Sequence, residues 1–287
     1  MLDGESIKER EKKEKVMSIL RIDNVINKDT DCKFYSLTMV AEENRMRSTI
    51  LKTSMEVQRF MMFYLIYFAI ILIIPLYAQS KVRSAYSKYS QVYSTSGMTG
   101  AEVARKILDE NGLYNVAVEE TPGHLSDHYD PTAKTVRLST DNYYGHSVAG
   151  TAVAAHEVGH AIQDAKDYNF MRIRHSLVPV ANFGSNISWI FIMIGAFASM
   201  ANLLLLGIIL MAAGVVFQLV TLPVEFDASK RAMQQIEALG IVSTDEYGQA
   251  RKVLNAAALT YVAAAAVAVF ELLRLVLMYT GMQRSDE

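Results

Sequence analysis

LVPVANFGSNISWIFIMIGAFASMANLLLLGIILMAAGVVFQLVTLPV, residues 177–224, contains no Asp, Glu, Lys or Arg. A helix of roughly 20 apolar residues crosses a hydrocarbon core of about 30 Å, so this stretch is too long for one crossing and suits two. It divides at Ala201 and Asn202 into a helical hairpin with a tight turn. Residues 60–78, FMMFYLIYFAIILIIPLYA, form another uncharged stretch of spanning length, with Pro75 near its end, where a kink is tolerated. Residues 256–279 form the last, and their far half carries Glu271 and Arg274. Three apart on one helical face, these two are placed to pair, and Arg274 is near enough to the helix end to snorkel. The expected fold is an α-helical membrane protein with about four transmembrane helices.

Working outward from the hairpin, four spans put both termini on one side and the polar segments 79–176 and 225–253 on the other. Arg172, Arg174, Lys230 and Arg231 flank the hairpin, whereas its turn carries no charge. Basic flanks stay in the cytoplasm, so the polar segments are expected there. The charges around 60–78 argue weakly the other way, with Arg45, Arg47, Lys52 and Arg59 before it and Lys81, Arg83 and Lys88 after.

Residues 1–55 read as a polar extension, partly helical or disordered, with the mixed-charge run ESIKEREKKEK at 5–15. The first 20 residues lack the apolar core of a secretory signal peptide. Segment 79–176 has the pattern of a folded α+β domain. Thr99-Gly100-Ala101-Glu102 has capping-box spacing, and Gly112 closes the helix that follows. Residues 116–120 and 135–139 read as short strands around a turn-rich loop, 121–134. Residues 147–165 read as a helix.

That helix carries the chemistry. Within VAAHEVGHAIQ, residues 153–163, His156 and His160 are four apart and project from one helical face. Two imidazoles so placed can bind one Zn²⁺, each at about 2.0–2.1 Å. Glu157 follows the first histidine, in position to act as general base on an attacking water. A catalytic zinc takes three protein ligands and keeps a fourth position open. The extended pattern H-E-x-x-H-x-x-G-x-x-H is excluded, because Gln163 stands where it wants glycine and Lys166 where it wants histidine. The third ligand must come from further along. Glu225, directly after the hairpin, is the best candidate, since the hairpin returns the chain to the side of the two histidines.

At this point the sequence resembles the YugP-like neutral zinc metallopeptidases of bacterial membranes. The likeness runs from about residue 60 to 280 and rests on IPLYAQSKV, STSGMTGAEVARKIL, GHLSDHYDP, AAHEVGHAIQ and QLVTLPVEFDASKRA, in that order. It implies a membrane location, one zinc per chain and ligands at His156, His160 and Glu225. More distantly the chain looks like the HtpX-type membrane proteases, which pair H-E-x-x-H with a later E-x-x-x-D whose aspartate supports a ligand histidine. Here Ser229 stands at that place, so Asp227 or Ser229 is expected to accept a hydrogen bond from a ligand ring. Together these readings make an α+β zincin-like (gluzincin) catalytic domain, completed by 225–253, on a membrane anchor.

His128 and Tyr129, in the loop before the second strand, are candidates for the cleft and for stabilising an oxyanion; hydrogen bonding within their own turn accounts for them equally well. His146 and His175 read as ordinary flanking residues. With 28 basic and 30 acidic residues the chain lacks the footprint of a nucleic-acid binder. Its single cysteine, Cys32, excludes an intrachain disulfide. The expected partners are a protein or peptide substrate and the lipid bilayer, with oligomeric state open. Two rivals remain. An intramembrane protease needs its motif within a true span, and Asp164, Lys166 and Asp167 disfavour that. A non-catalytic zinc scaffold or chaperone-like protein has no need of Glu157 beside its ligand.

Overall fold

The structure, a computed structural model, describes residues 28–285. The charged run at 5–15 lies outside the described residues. The elements are α1 Lys28–Tyr89, α2 Gly100–Glu110, β1 Ala117–Thr121, β2 His128–Asp130, β3 Thr135–Ser139, α3 Thr140–Tyr144, α4 Val148–Ala165, α5 Asn169–Phe197, α6 Ala201–Ala238 and α7 Thr244–Ser285. Four of these helices, α1, α5, α6 and α7, are long and apolar enough to cross a membrane. The chain forms two units, the first ending at Phe68, whose described part is helical throughout. All packing described below belongs to the second, Ala69–Glu287.

The apolar hairpin breaks slightly earlier than its sequence suggests. Ser199 takes a positive φ of 53° and α6 begins at Ala201. Just before the turn the two helices meet backbone to backbone, because a Cβ on Gly195 would stand 2.4 Å from the Leu204 nitrogen. Between apolar helices small residues of this kind permit close packing where lipid offers no hydrophobic gain. Ile192, Leu204, Ile208 and Leu275 then bury a small cluster among α5, α6 and α7.

The polar part is organised around α4. Fourteen of its 18 residues are buried, so it is a central helix covered on nearly every side. That explains its run of alanine and glycine, which allows neighbours to approach. The Ser147 hydroxyl caps its start by accepting from the Gly150 amide at 3.0 Å. Around it, the main core takes Val103, Ile107 and Leu108 from α2, Val136 and Leu138 from β3, Ile236 from α6 and Leu254 from α7. Both halves of the capping box are made in α2: the Glu102 amide donates to Thr99 Oγ1 and the Thr99 amide to Glu102 Oε2.

The sheet is ordered β1-β3-β2, with β1 parallel and β2 antiparallel to β3. This corrects the reading of 121–134 as pure loop, since His128–Asp130 is a strand paired to β3. Three residues are too few to display an alternation of their own, and the partner strand supplies the order. Only the middle residue, Tyr129, turns into the core. The first strand also runs one residue later than expected. Asp127 draws the preceding loop down by accepting from the Ser139 amide, the Ser139 hydroxyl and Asn142 Nδ2.

Candidate metal centre

Two helices build the site, and a glycine sets their separation. A Cβ on Gly159 would lie 2.5 Å from the Ala228 carbonyl oxygen. Gly159 is the weak helix former inside the H-E-x-x-H sequence, and its lack of a side chain lets α4 and α6 touch at the backbone. One residue away, His160 is brought against α6. Three residues before Ala228 stands Glu225, two positions after Pro223, which removes a backbone donor from that turn.

The resulting geometry is tight. The His156 and His160 rings lie with centroids 4.8 Å apart and planes 81° to each other. Glu225 Oε2 is 3.3 Å from His156 Nε2 and 3.6 Å from His160 Nε2. One ligand atom from each of the three residues falls within 4.8 Å of the others. Glu225 is only 2% exposed, and its Oε2 is buried without a hydrogen-bond partner among the described residues.

The hydrogen bonds behind the rings say what these atoms are prepared for. Gln163 Nε2 donates to the Val224 carbonyl at 2.7 Å and to Asp227 Oδ2 at 2.9 Å. Both partners are pure acceptors, so the amide orientation is settled and Gln163 Oε1 faces His160 Nδ1 at 3.0 Å. His160 must then donate from Nδ1, which leaves the Nε2 lone pair pointing at Glu225. His156 Nδ1 lies 3.1 Å from the Ser229 hydroxyl. A His160 lone pair and the His156 Nε2 atom facing one buried carboxylate oxygen leave a place for a cation between them, and the residues fit a divalent metal of the zinc type. Electrostatics agree. Burial disfavours the charged form of His160, but Glu225 and then Glu157 outweigh it and raise its proton affinity above that of an ordinary histidine.

The expected residues divide into three sets. His156, His160 and Glu225 come together, and Glu157, 8% exposed, is buried beside them. Ser229 touches His156 directly, whereas Asp227 reaches His160 only through Gln163, and its carboxylate is also held by Arg231 Nε at 2.5 Å. His128 and Tyr129 have other partners. His128 is exposed, with Nδ1 2.8 Å from the Ser126 carbonyl. The Tyr129 hydroxyl donates to Asp164 Oδ2 at 2.6 Å, and burial with that carboxylate pushes its pKa up. It ties the sheet to the end of α4.

In the sequence Gln163 only breaks a longer histidine pattern, yet in the structure it supports His160. Its position three residues after His160, on the same helical face, was the available signal.

Residues 64–280 match the sequence model of a family described as "Putative neutral zinc metallopeptidase". The chain is 53% identical over 203 residues to the "Putative membrane protease YugP" of Bacillus subtilis, covering 71% of this chain and 90% of that protein. No solved structure matches. With a match across most of its length, a His156–His160–Glu225 cluster able to hold a metal and four helices apolar enough to cross a membrane, the chain belongs to this neutral zinc metallopeptidase family.

Proposed function

We propose that this chain is a multi-pass membrane zinc metalloendopeptidase of gluzincin type, in which His156, His160 and Glu225 hold one Zn²⁺ and Glu157 is the general base. The observation that carries the reading is the buried Glu225 Oε2, without a hydrogen bond among the described residues and faced by two imidazole Nε2 atoms. When bound, zinc supplies a Lewis acid that acidifies water and polarises the scissile carbonyl. Glu157 takes a proton from the attacking water and passes it to the leaving amide nitrogen. Gln163 and Ser229 hold the two rings with Nε2 turned inward.

The substrates are membrane proteins or segments close to the bilayer surface, because Glu225 lies in the same continuous helix, α6, as the second half of the apolar hairpin. Segments 79–176 and 225–253 form a zincin-like catalytic domain facing the cytoplasm, as Arg172, Arg174, Lys230 and Arg231 around the hairpin support.

The protein purified in detergent is expected to hold about one zinc per chain by metal analysis and to cleave an unfolded protein such as casein. A chelator abolishes cleavage and added zinc restores it. A folded preparation without zinc, or cleavage indifferent to chelation, would overturn the reading.

A second prediction concerns the ring supports. Gln163→Leu keeps the volume but removes the acceptor for His160 Nδ1, and the zinc dissociation constant is expected to rise about 10–100-fold. Competition with a chromogenic chelator measures it. An unchanged constant would mean that His160 needs no help from Gln163.

A further inference from the structure

The apolar helices do not close on one another everywhere. α5 and α6 meet backbone to backbone, since a Cβ on Gly184 would stand 2.9 Å from the Leu210 carbonyl oxygen. The end of the apolar stretch of α1 packs more loosely, and between residues 69 and 78 only Ala78 is buried. A cavity of about 630 Å³ is lined there by α1, α5, α6 and α7, within the roughly 300–1,000 Å³ usual for small-molecule sites. Gly214, Ala263, Ala264 and Ala268 leave the room for it. Along α7 its lining runs from Thr260 to Glu271, about 16 Å of helix. That is the depth of one leaflet in a hydrocarbon core about 30 Å thick. Glu271 is paired with Arg274, so the charge at that end is compensated. A second cavity, of about 590 Å³, adjoins the first, with Gln79 and Thr260 lining both. Its chemistry differs. Arg83, Ser87, Ser90 and His124 line it, just beyond Ala78, where the apolar stretch of α1 ends. Arg83 is exposed and, among the described residues, has no ion-pair partner. Neither cavity is lined by a residue of the metal cluster.

We infer that the two cavities form one binding site for an anionic phospholipid of the bilayer, with an acyl chain along α7 in the first and the phosphate at Arg83 in the second. The inference rests on the four helices being membrane spans, as proposed above, and not on the catalytic reading. A molecule apolar at one end and anionic at the other satisfies both chambers at once. Each methylene taken from water or loose lipid adds to the affinity, and the guanidinium selects the headgroup by a charge-assisted hydrogen bond to a phosphate oxygen. An apolar peptide segment would fill the first chamber and leave Arg83 without a counter-charge.

Trp189 lines the apolar cavity and is the single tryptophan of the chain, so its fluorescence reports on occupancy. The full chain is placed in phosphatidylcholine nanodiscs that carry a graded fraction of phosphatidylglycerol or phosphatidylcholine brominated on the acyl chain, since bromine quenches tryptophan on contact. Trp189 is 49% exposed, so bulk lipid quenches it in every case and the readout is the difference between headgroups. Brominated phosphatidylglycerol is expected to reach half-maximal quenching at a mole fraction about fivefold lower than brominated phosphatidylcholine. Unbrominated phosphatidylglycerol reverses that excess. Arg83→Gln, at an exposed position, removes the preference, and Arg83→Lys keeps most of it. Ala264→Leu, which puts a larger side chain into the apolar chamber, lowers the excess as well. Equal quenching by the two lipids in the wild type would overturn the inference, and so would a preference that survives Arg83→Gln. Reversal of the excess by an uncharged apolar helical peptide, but not by unbrominated phosphatidylglycerol, would overturn it by assigning the cavity to a protein segment. A chain that stays soluble outside the nanodiscs would overturn the spans themselves, a failure distinct from equal quenching.

Discussion

Glu157→Gln is expected to lower peptide cleavage by about 10³-fold or more while bound zinc stays at the wild-type level. General acid–base catalysis alone contributes roughly 10²–10⁴-fold, and a glutamine amide cannot accept the proton that has to leave water. The two side chains have the same shape, so the packing of α4 is undisturbed. Glu157 is buried at 8% exposure, and the atoms that converge as a metal cluster belong to His156, His160 and Glu225. Its removal therefore has no direct route to the metal. Replacing the carboxylate by an amide also takes a negative charge from beside His160, whose proton affinity Glu157 helps to raise. Metal analysis on the purified variant, paired with single-turnover cleavage of a fluorogenic peptide, separates the two effects. Cleavage at more than a tenth of the wild-type rate with full zinc would assign the base elsewhere. The same variant distinguishes an enzyme from a zinc scaffold, because a scaffold has no rate to lose.

Features that were legible in the sequence are those whose causes are local. The capping box at Thr99 and Glu102 closes within four residues, and both of its hydrogen bonds are present. The 156/160 spacing places two rings on one face by helix geometry alone. Apolar length marked the candidate spans, although the hairpin turn fell a few residues before Ala201 and Asn202, at Ser199. Features whose causes are tertiary were not legible. Gly159 looks like a helix defect until Ala228 is seen against it. Gln163 looks like a failed glycine until Val224 and Asp227 fix its amide. β2 owes its existence to a partner strand. The candidate metal triplet could be proposed because topology constrained where the chain must return, whereas the supports behind it are a matter of side-chain packing.

Glu225→Ala carries the other large effect, and its value lies in separating two consequences. Zinc bound after desalting is expected to fall well below one per chain, with kcat/KM down by more than about 10³-fold, since a site reduced to two histidines lacks the third ligand that catalytic zinc requires. Stability should behave less simply. In the metal-free protein Glu225 is a carboxylate at 2% exposure with one oxygen lacking a hydrogen bond among the described residues, and burying such a charge is costly. Deleting it therefore need not lower the melting temperature of the metal-free form. Zinc changes the comparison. A ligand that binds only the folded state adds RT ln(1 + [L]/Kd), about 2.7 kcal/mol at a hundred times Kd, so wild type should melt markedly higher with zinc than without. The variant should show little of that increment. Thermal scans of both proteins with and without zinc give four melting temperatures, and the difference of differences isolates the metal. A full zinc-dependent increment in Glu225→Ala would remove Glu225 from the ligand set, and the two histidines would then need another partner. A collapse of the variant even without zinc would mean that the Glu225 carboxylate holds α4 and α6 together through the imidazoles rather than waiting for a cation.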